Sequence, residues 1–152
     1  MAAPMTRLLN ARHRKWKWYL LATVGTLALG LASRRNPLIF PIMMGKYPGD
    51  VLWSLMVFFG MAAIFNKTSS LEVGFRALCF AFGIEALKLC QAPWLASLRH
   101  TTLGHLVFGH VFSWQNLVAY TLGVLIGLLV EALIHIPGFG RIFKRSTKGL
   151  LQ

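Results

Sequence analysis

The chain has 152 residues, which is room for one domain. It is 56% apolar and 13% charged, against about 45–50% and about 25% in ordinary soluble domains; a disordered chain is excluded and an integral membrane protein is the expected class. The formal charge of +12 would point to nucleic acid in a soluble protein, but here the basic residues flank apolar runs, where topology signals sit, and no nucleic-acid partner is expected.

Residues 1–17 form a basic leader holding Arg7, Arg12, Arg14, Lys15 and Lys17. The first apolar run covers 18–33. Leader, apolar core and the small-residue step Gly30-Leu31-Ala32 also have the form of a signal peptide. A retained anchor fits the long leader at least as well and is the expected reading, since cleavage would leave only three spans to pack. The second run covers 50–65, the third 71–90 and the fourth 116–136. A spanning helix needs roughly 20 apolar residues. The third and fourth runs qualify outright, while the first two are short and are extended into the interface by Trp16, Tyr47 and Trp53. All five tryptophans, with Trp18, Trp94 and Trp114, sit near run ends, as an interfacial belt requires. The absence of period-two alternation excludes a barrel.

Two connecting segments are apolar as well. In residues 36–49, Pro37, Pro41 and Pro48 disfavour a long helix, so an extended segment resting on the surface is expected. In residues 92–115, Arg99, His100, His105 and His110 interrupt Leu95, Leu98, Leu103 and Leu106, which fits a helix in the outer interface or a re-entrant dip. The expected fold is an all-α membrane protein, with four transmembrane helices over residues 18–136 plus that outer interfacial or re-entrant segment between the third and fourth. Residues 137–152 form a basic tail with Arg141, Lys144, Arg145 and Lys148. Placing the N-terminus inside puts ten basic residues on the inner side and four on the outer. The positive-inside rule then expects a multi-pass inner-membrane protein with both termini cytoplasmic.

Cys79 and Cys90 are separated by about 16 Å of helical rise, too far for a disulfide, and read as buried small apolar residues. His100, His105 and His110 recur every five residues, about 140° apart on a helix, so they do not converge on a metal. No metal or other cofactor is expected. No GxSxG or SxxK motif marks a nucleophile, so the reading leans away from an enzyme.

Ionisable residues inside a span cost roughly 2.5–3.5 kcal/mol each, and the third run holds four. Glu72 and Arg76, one turn apart, read as a local ion pair. Glu85 and Lys88 lie near the outer end, either as a satisfied pair or as a site facing a cavity. In the fourth run Asn116, Tyr120, Gly123, Gly127, Glu131 and His135 form one stripe. Its Gly123 and Gly127 make a GxxxG step that lets another backbone approach closely, within this chain or in a partner. With the N-terminus inside, Ser33, Arg34, Arg35, Asp50, Glu85, Lys88, Gln91, Arg99, Asn116 and Tyr120 all gather at the outer end, although Asp50 is also an ordinary helix cap.

Several short motifs follow in order: SRR at 33–35, YPGDVLW at 47–53, Glu85, QAPWL at 91–95, Arg99 with TTLGHLVFG at 101–109, FSW at 112–114 and LVAYTLG at 117–123. In order and spacing the chain resembles a bacterial membrane family of unknown function, the domain-of-unknown-function family 2809. The pattern's acidic residue after FSW is replaced here by Gln115-Asn116, leaving Asn116 to act by hydrogen bonding. More distantly, Glu85/Gln91, Arg99, Asn116 and Gly123/Gly127 are similar to the core of VanZ-like proteins, small helical membrane proteins of the cell envelope. The resemblance implies an envelope role at the outer leaflet and supplies no reaction.

The expected function is binding of a lipid head group or other amphiphile in a polar pocket open to the outer face. Glu85 and Arg99 are its centre, with Arg34, Arg35, Asp50, Lys88, Gln91 and Asn116 around them and membrane lipids as partners. The alternatives are an intramembrane enzyme using Glu85 as acid or base on a lipid-linked substrate, and an accessory subunit whose GVLIG face docks a larger membrane protein or a second copy.

Overall fold

Each apolar run forms a helix, and the polar side chains within them are mostly satisfied by their own backbone. Thr23 Oγ1 donates to Tyr19 O, Thr26 Oγ1 to Ala22 O, Ser54 Oγ to Val51 O and Thr121 Oγ1 to Leu117 O, which hides hydroxyls from apolar surroundings. The computed structural model describes residues 13–35, 47–90, 92–101, 104 and 111–134. Its helices are α1 (Trp16–Arg35), α2 (Tyr47–Ile64), α3 (Ser70–Leu87), the short α4 (Pro93–Arg99) and α5 (Trp114–Ile134). Among the described residues there is no strand.

Chain direction follows from the close approaches. Gly60 faces Thr23 and Gly30 faces Leu52, so α1 and α2 are antiparallel. Gly123 meets Val51 and Ser54 while Gly127 meets Phe58, so α5 runs parallel to α2. Gly74 abuts Leu128 while Glu85 bonds Asn116 and Tyr120, so α3 is antiparallel to α5. The central helix is α2, packed against α1, α3 and α5. The core is Leu55, Val57, Phe58, Phe59, Ala62, Val73, Ala77 and Val124. A Cβ on Gly123 would overlap the Ser54 hydroxyl and the Val51 carbonyl oxygen, and one on Gly127 would enter the Phe58 ring. The two glycines are therefore what let α5 lie directly on α2.

The surface inverts the usual order. Leu20, Leu21 and Val24 of α1 and Val118, Leu125 and Leu129 of α5 face outward, whereas Arg14, Glu85, Asn116 and Glu131 are buried. Two helices, α2 and α5, are long and apolar enough to cross a membrane, and only 39% and 33% of their most apolar stretches are buried inside the bundle. A soluble core helix buries most of its surface, so these proportions are those of helices with an outward apolar face.

Several expectations change. The third run does not stay helical to residue 90: α3 stops at Leu87 with Lys88 as its cap, and with Glu72, Arg76 and Glu85 in 18 residues it is not one of the two strongly apolar helices, whereas the second run is. Residues 47–49 are helical rather than extended, because Pro48 falls in the first turn, where its missing N–H costs nothing; residues 36–46 lie outside the described part. Trp53 is half-buried rather than free at a run end: its ring packs against Tyr120 at 5.1 Å and stacks on Phe80 at 6.5 Å. Cys79 and Cys90 are exposed free thiols rather than buried, since both fall on outward faces. Of residues 92–115, α4 is described with Leu95 buried, and His105 and His110 fall outside the described residues, as do the leader through residue 12 and the tail.

A Gly123→Val substitution is expected to destabilise the protein by about 1–3 kcal/mol or more through overpacking, because the clash is with backbone as well as side chain. Gly25→Ala, where a Cβ meets nothing within 4 Å, is expected to leave the melting temperature unchanged or raised. Thermal unfolding in detergent checks both.

Candidate functional site

Two polar nodes lie inside the bundle, one at each end. At the first, the last turn of α3 brings Glu85 against the first turn of α5, and Glu85 is fully buried. Its carboxylate accepts from four residues. Lys88 Nζ donates to Oε2 at 2.6 Å and the Ser113 backbone N–H to Oε1 at 2.8 Å. Asn116 Nδ2 donates to both oxygens, at 3.2 and 3.4 Å, and the Tyr120 hydroxyl to Oε2 at 3.0 Å. The i,i+3 spacing of Glu85 and Lys88 places them on one helix face, and Asn116 and Tyr120 come from the i,i+4 stripe of α5. Asn116 Oδ1 is buried and accepts no hydrogen bond among the described residues. Tyr120 leans on Trp53, which also walls an apolar groove between α1 and α2 lined by Thr26, Leu27, Gly30, Leu31 and Leu52.

The second node sits at the opposite end, around Glu131 near the end of α5. Arg14, in the segment before α1, is 3% exposed and Glu131 1%. Arg14 Nε donates to Glu131 Oε1 at 2.5 Å and Nη2 to Oε2 at 3.1 Å, a two-point clamp. Nη2 also reaches Ser70 Oγ at 3.1 Å, and Nη1 donates to Thr68 O at 2.7 Å and Phe65 O at 3.3 Å. The Tyr19 hydroxyl adds a bond to Glu131 Oε1 at 2.7 Å. The Arg14 backbone N–H closes on Asn66 O at 2.8 Å. Burial works against the Arg14 charge, but the Glu131 carboxylate outweighs it and holds the guanidinium above its ordinary pKa. At the same end Ser69 caps α3 by accepting from Glu72 N at 3.2 Å, and Glu72 pairs with Arg76.

Of the residues singled out from sequence, Glu85, Lys88 and Asn116 meet at the first node. Asp50 lies half-buried in the first turn of α2 at that end. Arg34, Arg35 and Arg99 end α1 and α4, with their side chains outside the described part, and Gln91 is outside it too. Among the described residues no three His, Cys, Asp or Glu side chains cluster to hold a metal. Sequence reasoning missed the Arg14–Glu131 clamp. The signal was present: a carboxylate on the buried stripe of an apolar helix requires a cation, and Arg14 had been counted only as a topology charge.

These features define a class: a small helical bundle with an apolar exterior and a charged node buried at either end. The chain belongs to the family described as proteins of unknown function DUF2809, whose model matches residues 39–124. No solved structure matches it.

Arg14→Ala and Glu131→Ala are each expected to cost about 3–5 kcal/mol, because either leaves an unpaired buried charge. The double variant Arg14→Met/Glu131→Leu is expected to recover most of that in thermal unfolding. Cleavage after Ala32 would strip Glu131 of both Arg14 and Tyr19, so the intact mass of protein extracted from membranes is expected to include α1.

Proposed function

We propose that the chain is a four-helix inner-membrane protein of the bacterial envelope, with both termini cytoplasmic, that binds a lipid head group or other amphiphile at its Glu85 end. The outward leucines and valines of α1 and α5 support membrane residence, since water would not tolerate that surface while charges are buried. In this orientation the Glu85 end faces outward, and the last turn of α1 and the first turns of α2 and α5 lie at that end with Arg34, Arg35 and Asp50 on them, while Arg99 ends α4, the helix that follows α3 in the chain. The observation that carries the reading is the buried Glu85 node itself, with an acceptor left over on Asn116 among the described residues. Tyr120 of the node touches Trp53, which walls the apolar groove between α1 and α2, so polar groups and a slot for a chain are linked through that ring contact. The family match spans every residue of this node and neither Arg14 nor Glu131, which favours the Glu85 end as the functional one.

Both oxygens of Glu85 are engaged by protein donors, so its work is to hold the node rather than to move a substrate proton. That favours binding over catalysis. The glycine face of α5 already has α2 against it, so a membrane partner or second copy would meet another face.

Native mass spectrometry of protein extracted with its lipid tests the reading. The wild type is expected to keep a defined bound mass that Arg99→Ala loses and Glu85→Gln retains in part. Equal, unspecific adducts in all three would end the binding proposal. For orientation, Cys90 is expected to react with an impermeant maleimide added to the outer face while Cys79, midway along α3, does not. Labelling of Cys90 only from the cytoplasmic face would reverse the topology.

A further inference from the structure

We propose that the Glu85 node takes up a neutral hydroxyl, so that the ligand carries a polyol head group; this rests on the head-group reading above and names its chemistry. The argument begins with the orientation of one amide. Asn116 Nδ2 lies 3.2 and 3.4 Å from the two Glu85 oxygens. Turned over, the amide would set Oδ1 against a carboxylate that has no proton to donate, so the hydrogen-bond chemistry fixes which atom is which. Oδ1 is thereby left buried, on a residue only 4% exposed.

Among the described residues no donor reaches that oxygen. One N–H of Lys88, the Ser113 N–H and the Tyr120 hydroxyl go to Glu85, and the Asn116 N–H goes to Ser113 O at 3.0 Å. As these groups are turned, the place of the missing donor is open to a ligand. Its charge is constrained as well, because Lys88 already balances Glu85, and their side chains are 7% and 0% exposed. A second cation would sit there unpaired, at a desolvation cost that a neutral hydroxyl avoids. The depth is small. Asn116 lies about 3 Å of helical rise below Trp114, which is 74% exposed, so a head-group hydroxyl reaches it without crossing the bundle. A phosphate on the same ligand would lie farther out, on the side where α1 ends.

The hydroxyl has two sources, a lipid head group or a free polyol, and the experiment separates them. The full-length protein is exchanged into nanodiscs containing phosphatidylglycerol, phosphatidylmethanol or phosphatidylethanolamine, and retained lipid is counted by native mass spectrometry. Phosphatidylmethanol keeps the phosphodiester charge but has no hydroxyl, and phosphatidylethanolamine offers an ammonium. A gain of about threefold to tenfold for phosphatidylglycerol over both is expected, the ordinary worth of one added hydrogen bond. Displacement of that lipid by free glycerol would confirm the hydroxyl chemistry and assign it to a soluble polyol. Equal retention of phosphatidylglycerol and phosphatidylmethanol, both above phosphatidylethanolamine, would overturn the hydroxyl and leave the acceptor to water, while the head-group reading stands. Preference for phosphatidylethanolamine would overturn neutrality of the donor. No preference among the three would sink both proposals.

Discussion

The structure depends on one constraint: a carboxylate buried in a bundle with an apolar exterior must find its donors inside the bundle. Glu85 and Glu131 are both buried to 1% exposure or less, and each organises an end of the molecule. Glu85 ties the last turn of α3 to the first turn of α5. Glu131 ties the end of α5 to α1, to the start of α3 and to the segment before α1. Hydrogen bonding between helices is the glue available where both the lipid and the helix faces are apolar, since no hydrophobic difference separates them. The two nodes therefore specify which helix ends meet, and the apolar faces between them need only fit.

That fit comes from small residues. The stripe on α5 that carries Asn116, Tyr120 and Glu131 also carries Gly123 and Gly127, so polar ends and a close-packed middle share one helix face. On α2 the facing residues are Ser54, whose hydroxyl is turned back onto Val51 O, and Phe58, which fills the space above Gly127. The seam between α2 and α5 is tightly filled, and the buried ionisable side chains lie at the two ends. A tightly packed middle holds the Glu85 node in place, and four donors fix its carboxylate.

The two nodes also differ in setting. Around Glu131 both carboxylate oxygens and all three guanidinium nitrogens of Arg14 have protein partners; it is a closed clasp. At Glu85 an acceptor of Asn116 is left over among the described residues, and Tyr120 of the node touches Trp53, a wall of the apolar groove. Closure at one end and an open valence at the other is the contrast on which the binding proposal for the Glu85 end rests.

Much was legible in the sequence. Four apolar runs gave four long helices because hydrophobic length and period are local properties. The stripe on the last run gave its buried face because a period of 3.6 is fixed by the helix itself. The cluster of Glu85, Lys88 and Asn116 was legible because topology alone brings alternate helix ends together. What required the tertiary structure was pairing across long separations: Arg14 with Glu131, 117 residues apart, and Ser113 with Glu85. It also required the ring contacts of Trp53 and the outward turn of both cysteines. Sequence states that a buried charge needs a partner; only the packing of helices decides which cation arrives, because partner choice is set by distance in space, and spacing along the chain carries no record of it.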